Sequence, residues 1–216
     1  MLRKYNGTRY EIEQINCDWE FKKVMDEIKD ELGVSMNFTS TDEHVPKAEH
    51  NNRTIAERIR VAYHHLPYKT MPRVMLKYLA MVCTKQLNIF PAKGGVSLYY
   101  SLHVLLNGRQ YDYNKDCQVP FGTYVQANNN INPTNTNAPR TIDGIYLRPS
   151  SAIQGGHEVM NLSSGLVIYP RKVKTIPLTD SIIKLVEKMG EDQGIKSLKL
   201  NNRKKNIFIQ VNGLKE

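Results

Sequence analysis

Residues 45–53, with the sequence Val-Pro-Lys-Ala-Glu-His-Asn-Asn-Arg, decide how the first part of the chain is expected to fold. Proline is favoured in the first turn of a helix, so Pro46 predicts a helix start. The apolar residues that then recur at helical spacing are Ile55, Ile59, Ala62 and Leu66. Because positions three and four apart share one face of a helix, Glu49, Asn52 and Arg53 present a carboxylate, an amide and a cation on the same side.

The residues before this helix predict a strand, a helix and a second strand. Residues 10–15 alternate between apolar and polar side chains, which is typical of a strand. Residues 19–32 show helical spacing and are followed by Gly33, a residue favoured at helix ends. Residues 34–38 predict the second strand, and Asp18 stands between the first strand and its helix. The expected order is strand, aspartate, helix, strand, loop, and then the helix that carries the glutamate.

Beyond residue 70 the periodicity predicts one long and one short helix. Apolar residues at helical spacing between 71 and 87 indicate a helix that covers the sheet, and its apolar side consists of Met71, Met75, Leu79, Val82 and Leu87. Residues 97–106 predict a short helix that ends in a turn at 107–108. A final helix is predicted over 179–189, with Thr179 or Asp180 as its N-cap, and a basic cluster follows within 199–205.

The region after Cys117 predicts strands instead of helices. Short, partly alternating runs separated by glycine-containing turns cover residues 119–127, 141–147, 158–162 and 166–173. The predicted fold is therefore an α/β part followed by a small all-β barrel or meander and a C-terminal helix. Its four parts are an α/β part at 1–92, a connector at 93–116, a β-rich part at 117–176, and a helix with a basic tail at 177–216.

Composition points to a polyanionic partner and an intracellular protein. The formal net charge is +9 and the isoelectric point is about 9.4, which favours nucleic acid, although many basic domains are simply soluble cations. The three cysteines are odd in number and widely spaced, which indicates a reducing compartment and argues against structural zinc in this chain. No apolar run approaches the ~20 residues of a membrane helix. We expect a nuclear or cytoplasmic protein without a membrane partner.

The stretch Asp18-Trp19-Glu20-Phe21-Lys22, together with residues 45–58, resembles the second half of the integrase catalytic core of copia-type retrotransposons. In this comparison Asp18 falls on the second acidic position of the family and Glu49 on the third. Asn52 and Arg53 match the family's pattern of glutamate, two residues, asparagine and a basic residue. Weaker similarities continue downstream at 87–91, 121–122 and 146–149.

This resemblance implies an RNase H-like core that performs DNA integration, a form of DNA recombination, by metal-dependent strand transfer. Asp18 and Glu49 would be catalytic and would bind Mg²⁺ or Mn²⁺ in the intact enzyme, since both ions prefer hard oxygen ligands. An SH3-like barrel would follow the core and contact DNA, and the chain would form homo-oligomers with other integrase chains. The residues expected to contact DNA are Asn52, Arg53, Arg60, Arg148, Arg171, Lys172 and Lys174.

The family's first aspartate has no counterpart before Asp18, where Glu11 and Glu13 belong to the same predicted strand. We therefore expect a truncated integrase fragment that is inactive alone. The alternative is a non-catalytic nucleic-acid-binding remnant, and a third possibility is an unrelated helical DNA-binding module. Simpler roles for the two acidic residues also stay open, because Asp18 fits an N-cap and Glu49 fits an acid favoured by the helix dipole.

Overall fold

The computed structural model describes residues 11–17, 22, 33–38, 46–91, 93, 95, 97–128, 137, 139–150, 155–195, 197–201 and 207–212. Its helices are α1 Pro46–His64, α2 Arg73–Leu87, α3 Leu102–Asn107, α4 Tyr113–Asp116 and α5 Asp180–Asp192. Its strands are β1 Gln14–Cys17, β2 Ser35–Phe38, β3 Tyr124–Asn128, β4 Thr141–Pro149, β5 His157–Asn161, β6 Val167–Ile168, β7 Val173–Thr175, β8 Ser197–Asn201 and β9 Ile207–Asn212. This mixture of helix and strand agrees with the predicted α/β class.

The chain divides into two compact units. The first unit comprises Met1–Ile55 and Asn88–Gln110, and the second comprises Ala56–Leu87 and Tyr111–Glu216. The part boundaries expected at residues 92, 116 and 176 stay predictions. No helix among the described residues is long and apolar enough to cross a membrane.

In the first unit, β1 and β2 form a parallel pair. Gln14 is paired with Ser35, and Cys17 is paired with Phe38. Neighbouring parallel strands need a crossover connection, which here is formed by the intervening residues of the chain. The helix predicted over 19–32 lies outside the described residues, apart from Lys22, and so does the first half of the strand predicted over 10–15.

Helix α1 begins at Pro46, as predicted from the sequence. Its buried side chains are Ala56, Ile59 and Tyr63, which are spaced three and four residues apart and therefore share one face. Of the predicted apolar side, Ile59 is buried, whereas the half-buried members are Ile55, Ala62 and Leu66.

Helix α3 is shorter than the predicted helix over 97–106. The hydroxyl of Ser97 accepts hydrogen bonds from the backbone N–H groups of Tyr99 and Tyr100, at 3.2 and 3.0 Å, and this turn competes with helix formation. The helix starts only after Ser101, whose hydroxyl accepts from the N–H of Val104 at 3.3 Å. It ends at Gly108, in the predicted turn, with φ at 65°.

The second unit is built on a five-stranded antiparallel sheet with the order β6-β5-β4-β3-β7. Four consecutive strands form a meander, and β7 returns to pair with β3. The single strand predicted over 166–173 is wrong, because the chain forms β6 and β7 with Pro170 between them. Proline has no N–H to donate to a ladder, and the carbonyl of Pro170 accepts from His157 at 3.0 Å instead.

Both faces of this sheet are covered at β4. One face forms a core cluster with Val125, Ala127, Tyr146 and Val159. Helix α2 packs against β4, and the buried residues of this helix are Met75, Tyr78, Leu79 and Cys83. The predicted helix over 71–87 is confirmed as α2, which begins two residues later because Met71 and Pro72 belong to the preceding turn.

Helix α5 is held against the start of α2 and the turn before it by two hydrogen bonds and one close packing contact. The Glu187 carboxylate accepts from the N–H of Lys69 at 2.7 Å, and the Gln193 side-chain oxygen accepts from the N–H of Arg73 at 2.8 Å. Gly190 lies directly against the backbone of Met71. Thr179 occupies the N-cap position of α5 without a capping bond, since its hydroxyl is paired with that of Ser181 at 2.9 Å.

Strands β8 and β9 form a two-stranded antiparallel sheet where the sequence predicted only a basic tail. The apolar residues of β8 alternate with polar ones in Ser-Leu-Lys-Leu-Asn, and those of β9 do so from Ile209 onward. This alternation was the signal for a hairpin. The Arg203-Lys204-Lys205 cluster falls between these two strands in the sequence and lies outside the described residues.

Candidate metal and nucleic-acid sites

The first turns of α1 display the predicted carboxylate, amide and cation to solvent. Glu49 is the acidic residue of the first helical turn, and Glu49, Asn52 and Arg53 are all exposed. Their spacing of three and four residues places them on one face of the helix. The arrangement is accessible to a ligand, and the positive end of the helix dipole favours an acidic residue at Glu49.

Asp18, the other predicted carboxylate, lies outside the described residues. The strand before it is described, because β1 ends at Cys17 and is level with the last residue of β2, Phe38. In a parallel pair the carboxyl ends of both strands lie at the same edge. The chain therefore leaves β1 towards Asp18 at the edge from which it also leaves β2 towards α1.

The described residues do not complete a metal site. Within the part of the chain that the structure describes, no group of three or more His, Cys, Asp and Glu side chains could hold a metal ion. Glu49 supplies one carboxylate of the hard type that Mg²⁺ prefers, whereas a two-metal site needs several.

Arg60, a predicted DNA contact, lies on the second part of α1. It is exposed and follows Arg53 by seven residues, which is two helical turns. Both side chains therefore project from the same face of this helix.

Arg148, another predicted DNA contact, has its charge paired within the protein. Its Nε donates to Oε2 of Glu158 at 3.0 Å, and its Nη2 donates to Oε1 at 3.1 Å. The guanidinium also lies 5.2 Å from the ring centre of Tyr78. Glu158 is only 4 % exposed. This pairing argues for a structural role of Arg148 and against a phosphate contact.

The phenol of Tyr78 completes this internal polar cluster. Burial raises the pKa of Tyr78, and a hydrogen bond to Glu158 raises it further. Tyr78 therefore stays neutral and donates to the buried carboxylate, which satisfies an acceptor that has left water. The cluster joins α2 to β4 and β5 and has no exposed reactive group.

Arg171, Lys172 and Lys174 are exposed, as phosphate contacts must be. They lie just before β7 and within it, at one edge of the sheet. Val173 packs towards the core cluster, so the flanking Lys172 and Lys174 point to the opposite face of the sheet. The carbonyl of Lys172 accepts from the N–H of Asn128 at 3.1 Å, which extends the ladder beyond β7.

Arg140 is an exposed cation at the same end of the sheet that sequence reasoning missed. It precedes β4, whose first residue, Thr141, is paired with the last residue of β3, Asn128. Asn128 is in turn bonded to Lys172. The closeness of Arg140 to Lys172 depends on strand pairing. The sequence, in which Arg140 follows a long polar stretch, therefore could not predict it.

Two groups near the core cluster have perturbed ionisation. Burial raises the pKa of Tyr146 to about 12, and burial lowers the pKa of His157. Their rings are 5.7 Å apart, and Nδ1 of His157 is buried without a hydrogen-bond partner among the residues that the structure describes. Both groups are therefore neutral at pH 7, and their contact is one of packing.

Comparison with known proteins adds no family assignment: no family model matches the chain, and no curated protein matches its sequence.

Proposed function

We propose that the chain takes part in DNA integration, with the first unit as part of an RNase H-like, copia-type integrase core and the second unit as a DNA-binding region. The observation that carries this proposal is the order of elements around Glu49. Two parallel strands end at one edge, Asp18 follows the first of them, and Glu49 opens the helix that follows the second. This order brings both acidic residues to elements that leave the same sheet edge.

The chemistry of the exposed α1 face supports the proposal. Carboxylate oxygens of Asp18 and Glu49 are ligands of the type that Mg²⁺ and Mn²⁺ take, and such ions stabilise charge on phosphate oxygens during strand transfer. The amide of Asn52 and the guanidinium of Arg53 can bind phosphate oxygens on the same side of the helix. All three α1 side chains are exposed, as a contact with a large DNA substrate requires.

Metal titration tests this proposal directly. The purified chain is titrated with Mn²⁺ in a calorimeter, alongside Glu49→Gln, Asp18→Asn and the matched control Glu57→Gln, which alters an exposed glutamate of the same helix. We expect Glu49→Gln and Asp18→Asn to weaken Mn²⁺ binding and Glu57→Gln to leave it unchanged. Equal binding by wild type and Glu49→Gln would refute a metal-binding role for Glu49.

A second candidate function, nucleic-acid binding without catalysis, is favoured by the distribution of charge. The second unit contains 20 Lys and Arg against 10 Asp and Glu, whereas the first contains 10 against 11. The excess of 10 positive charges therefore belongs to the second unit alone. This function predicts salt-sensitive DNA binding that does not change in Glu49→Gln or Asp18→Asn.

A further inference from the structure

The geometry points to Arg140 as part of a strip that binds the phosphate backbone of duplex DNA. We define the sheet-end strip as Arg140, Arg171, Lys172 and Lys174, and the inference rests on the proposed DNA binding of the second unit. All four side chains are exposed. Of the four, Arg140 was not expected from the sequence.

Strand pairing brings the strip together from segments that are distant in sequence. β3 lies between β4 on one side and β7 on the other. At its last residue, Asn128, it is bonded to Thr141 of β4 and to Lys172. Since neighbouring strands are ~4.8 Å apart, the starts of β4 and β7 are separated by roughly 10 Å. Arg140 and Arg171 each lie one residue beyond these positions.

The face of the sheet opposite the core cluster is polar where it carries Lys172 and Lys174. Ala127 is buried in the core cluster, so Gln126 and Asn128 on either side of it point to the opposite face together with Lys172 and Lys174. Arg140 and Arg171 each lie one residue beyond the paired end of a strand. Gln126 is paired with Lys174 on one side and with Asp143 on the other. The Asp143 carboxylate accepts a hydrogen bond from the Tyr124 hydroxyl at 3.0 Å. Amides and lysines in alternation suit phosphate and sugar oxygens.

The chemistry of the strip favours duplex DNA over a single strand. Single strands bind mainly by stacking their bases on exposed aromatic side chains. The four residues of the strip include none, residues 125–145 include no aromatic residue, and the hydroxyl of nearby Tyr124 is held by Asp143. The exposed Tyr169, two residues before Arg171, supplies one ring, whereas successive bases need several. Duplex DNA hides its base faces and presents phosphates, which bind to arginine and lysine without stacking.

Arg148 does not belong to this strip. It follows Arg140 by eight positions along β4, which corresponds to roughly 26 Å of extended chain, and it lies at the opposite end of the strand. It is also paired with Glu158. The exposed Lys77 neighbours Tyr78, which contacts Arg148, and therefore offers a charge-matched control at the end of β4 opposite to Arg140.

The test measures binding of a fluorescein-labelled, random-sequence DNA duplex by anisotropy over a salt series, for wild type, Arg140→Ala, Arg140→Lys, Lys172→Ala and Lys77→Ala. Each phosphate contact contributes ~0.9 to the slope of log K against log salt. We expect Arg140→Ala and Lys172→Ala each to reduce the slope by ~1, while Arg140→Lys and Lys77→Ala keep it. The same strand without its complement is expected to bind more weakly.

The outcomes separate this inference from the function on which it rests. If wild type binds the duplex with a steep salt slope but Arg140→Ala behaves like Lys77→Ala, the strip is refuted and DNA binding stands. Single-stranded DNA that binds as tightly as the duplex would overturn the choice of ligand. If wild type does not bind either DNA, the strip and the proposed DNA binding both fail. Thermal melting checks that each variant is folded. If Arg140→Ala is not folded, the salt slope of Lys172→Ala tests the strip instead.

Discussion

Arg148 and Glu158 form a two-bond ion pair between β4 and β5, with distances of 3.0 and 3.1 Å. The carboxylate is buried and the guanidinium is largely covered by the ring of Tyr78. We expect Glu158→Gln to lower the free energy of unfolding by about 3 kcal/mol, because it leaves the Arg148 charge without its partner in a partly desolvated position. Urea denaturation at neutral pH measures this loss.

A double variant tests whether the unpaired charge of Arg148 causes this loss of stability. Replacing both partners by uncharged side chains, Arg148→Met with Glu158→Gln, is expected to recover most of the stability, since no unpaired charge remains. A double variant that is no more stable than Glu158→Gln would contradict this account. Because Arg148 is already paired with Glu158 inside the protein, we expect Arg148→Ala to leave the salt slope of DNA binding unchanged, in contrast to Arg140→Ala.

Gly144 of β4 cannot accept a side chain without displacing its neighbour strand. A Cβ atom at this position would lie 2.7 Å from the carbonyl oxygen of Met160 and closer still to the Cγ1 atom of Val159. We expect Gly144→Ala to cost roughly 1–3 kcal/mol in the free energy of unfolding, because overpacking forces the strands apart. Chemical denaturation measures the cost.

A second substitution distinguishes the two clashes at Gly144. Adding Val159→Ala to Gly144→Ala removes the side-chain clash but leaves the carbonyl of Met160 in place. The double variant is therefore expected to stay less stable than Val159→Ala alone. Equal stability of these two proteins would show that the backbone clash has no effect.

Local signals in the sequence predicted α1 and α2 well. Pro46 marks the start of α1, and the apolar spacing after Met71 marks α2, because both depend on residues within a few turns. The strands were predicted less well. Pro170 divides β6 from β7, and the choice between one strand and two depends on which carbonyl pairs with His157.

The candidate site also has parts that depend on local sequence and parts that depend on strand pairing. The shared face of Glu49, Asn52 and Arg53 follows from helical spacing alone and was predictable. The internal pairing of Arg148 depends on the β4–β5 register, which shifts at a bulge between Tyr146 and Arg148. A bulge changes the direction of the side chains beside it, and the sequence of β4 does not show that a bulge is present.

Stability of the second unit should fall on mild acidification because of His157. Burial lowers its pKa below the ordinary value of 6.5, which the unfolded chain retains. Below pH 6.5 the unfolded chain therefore binds more protons than the folded one, and protonation favours unfolding. The contribution of neutral His157 is complete above that pH and is lost as the pH falls through the lowered pKa.

The measurement for His157 compares urea denaturation at about pH 7.5 and about pH 5. His157→Phe keeps an aromatic ring beside Tyr146 and removes the titration, so its stability is expected to change less between the two conditions. His65→Phe, at an exposed position, serves as the control and should keep the wild-type difference. Identical pH dependence of wild type and His157→Phe would exclude His157 as the cause.

The last prediction concerns Gln193, which caps α2 from the end of α5. Its side-chain oxygen accepts the N–H of Arg73, the first residue of α2, at 2.8 Å. The first N–H groups of a helix have no partner within the helix, so a tertiary acceptor satisfies one of them. We expect Gln193→Ala to cost about 1 kcal/mol in the free energy of unfolding, as for loss of an N-cap. Gln86→Ala removes the same side chain from an exposed position of α2 and should be nearly neutral. Equal losses in the two variants would mean that the bond to Arg73 does not help to hold α5 against the turn before α2.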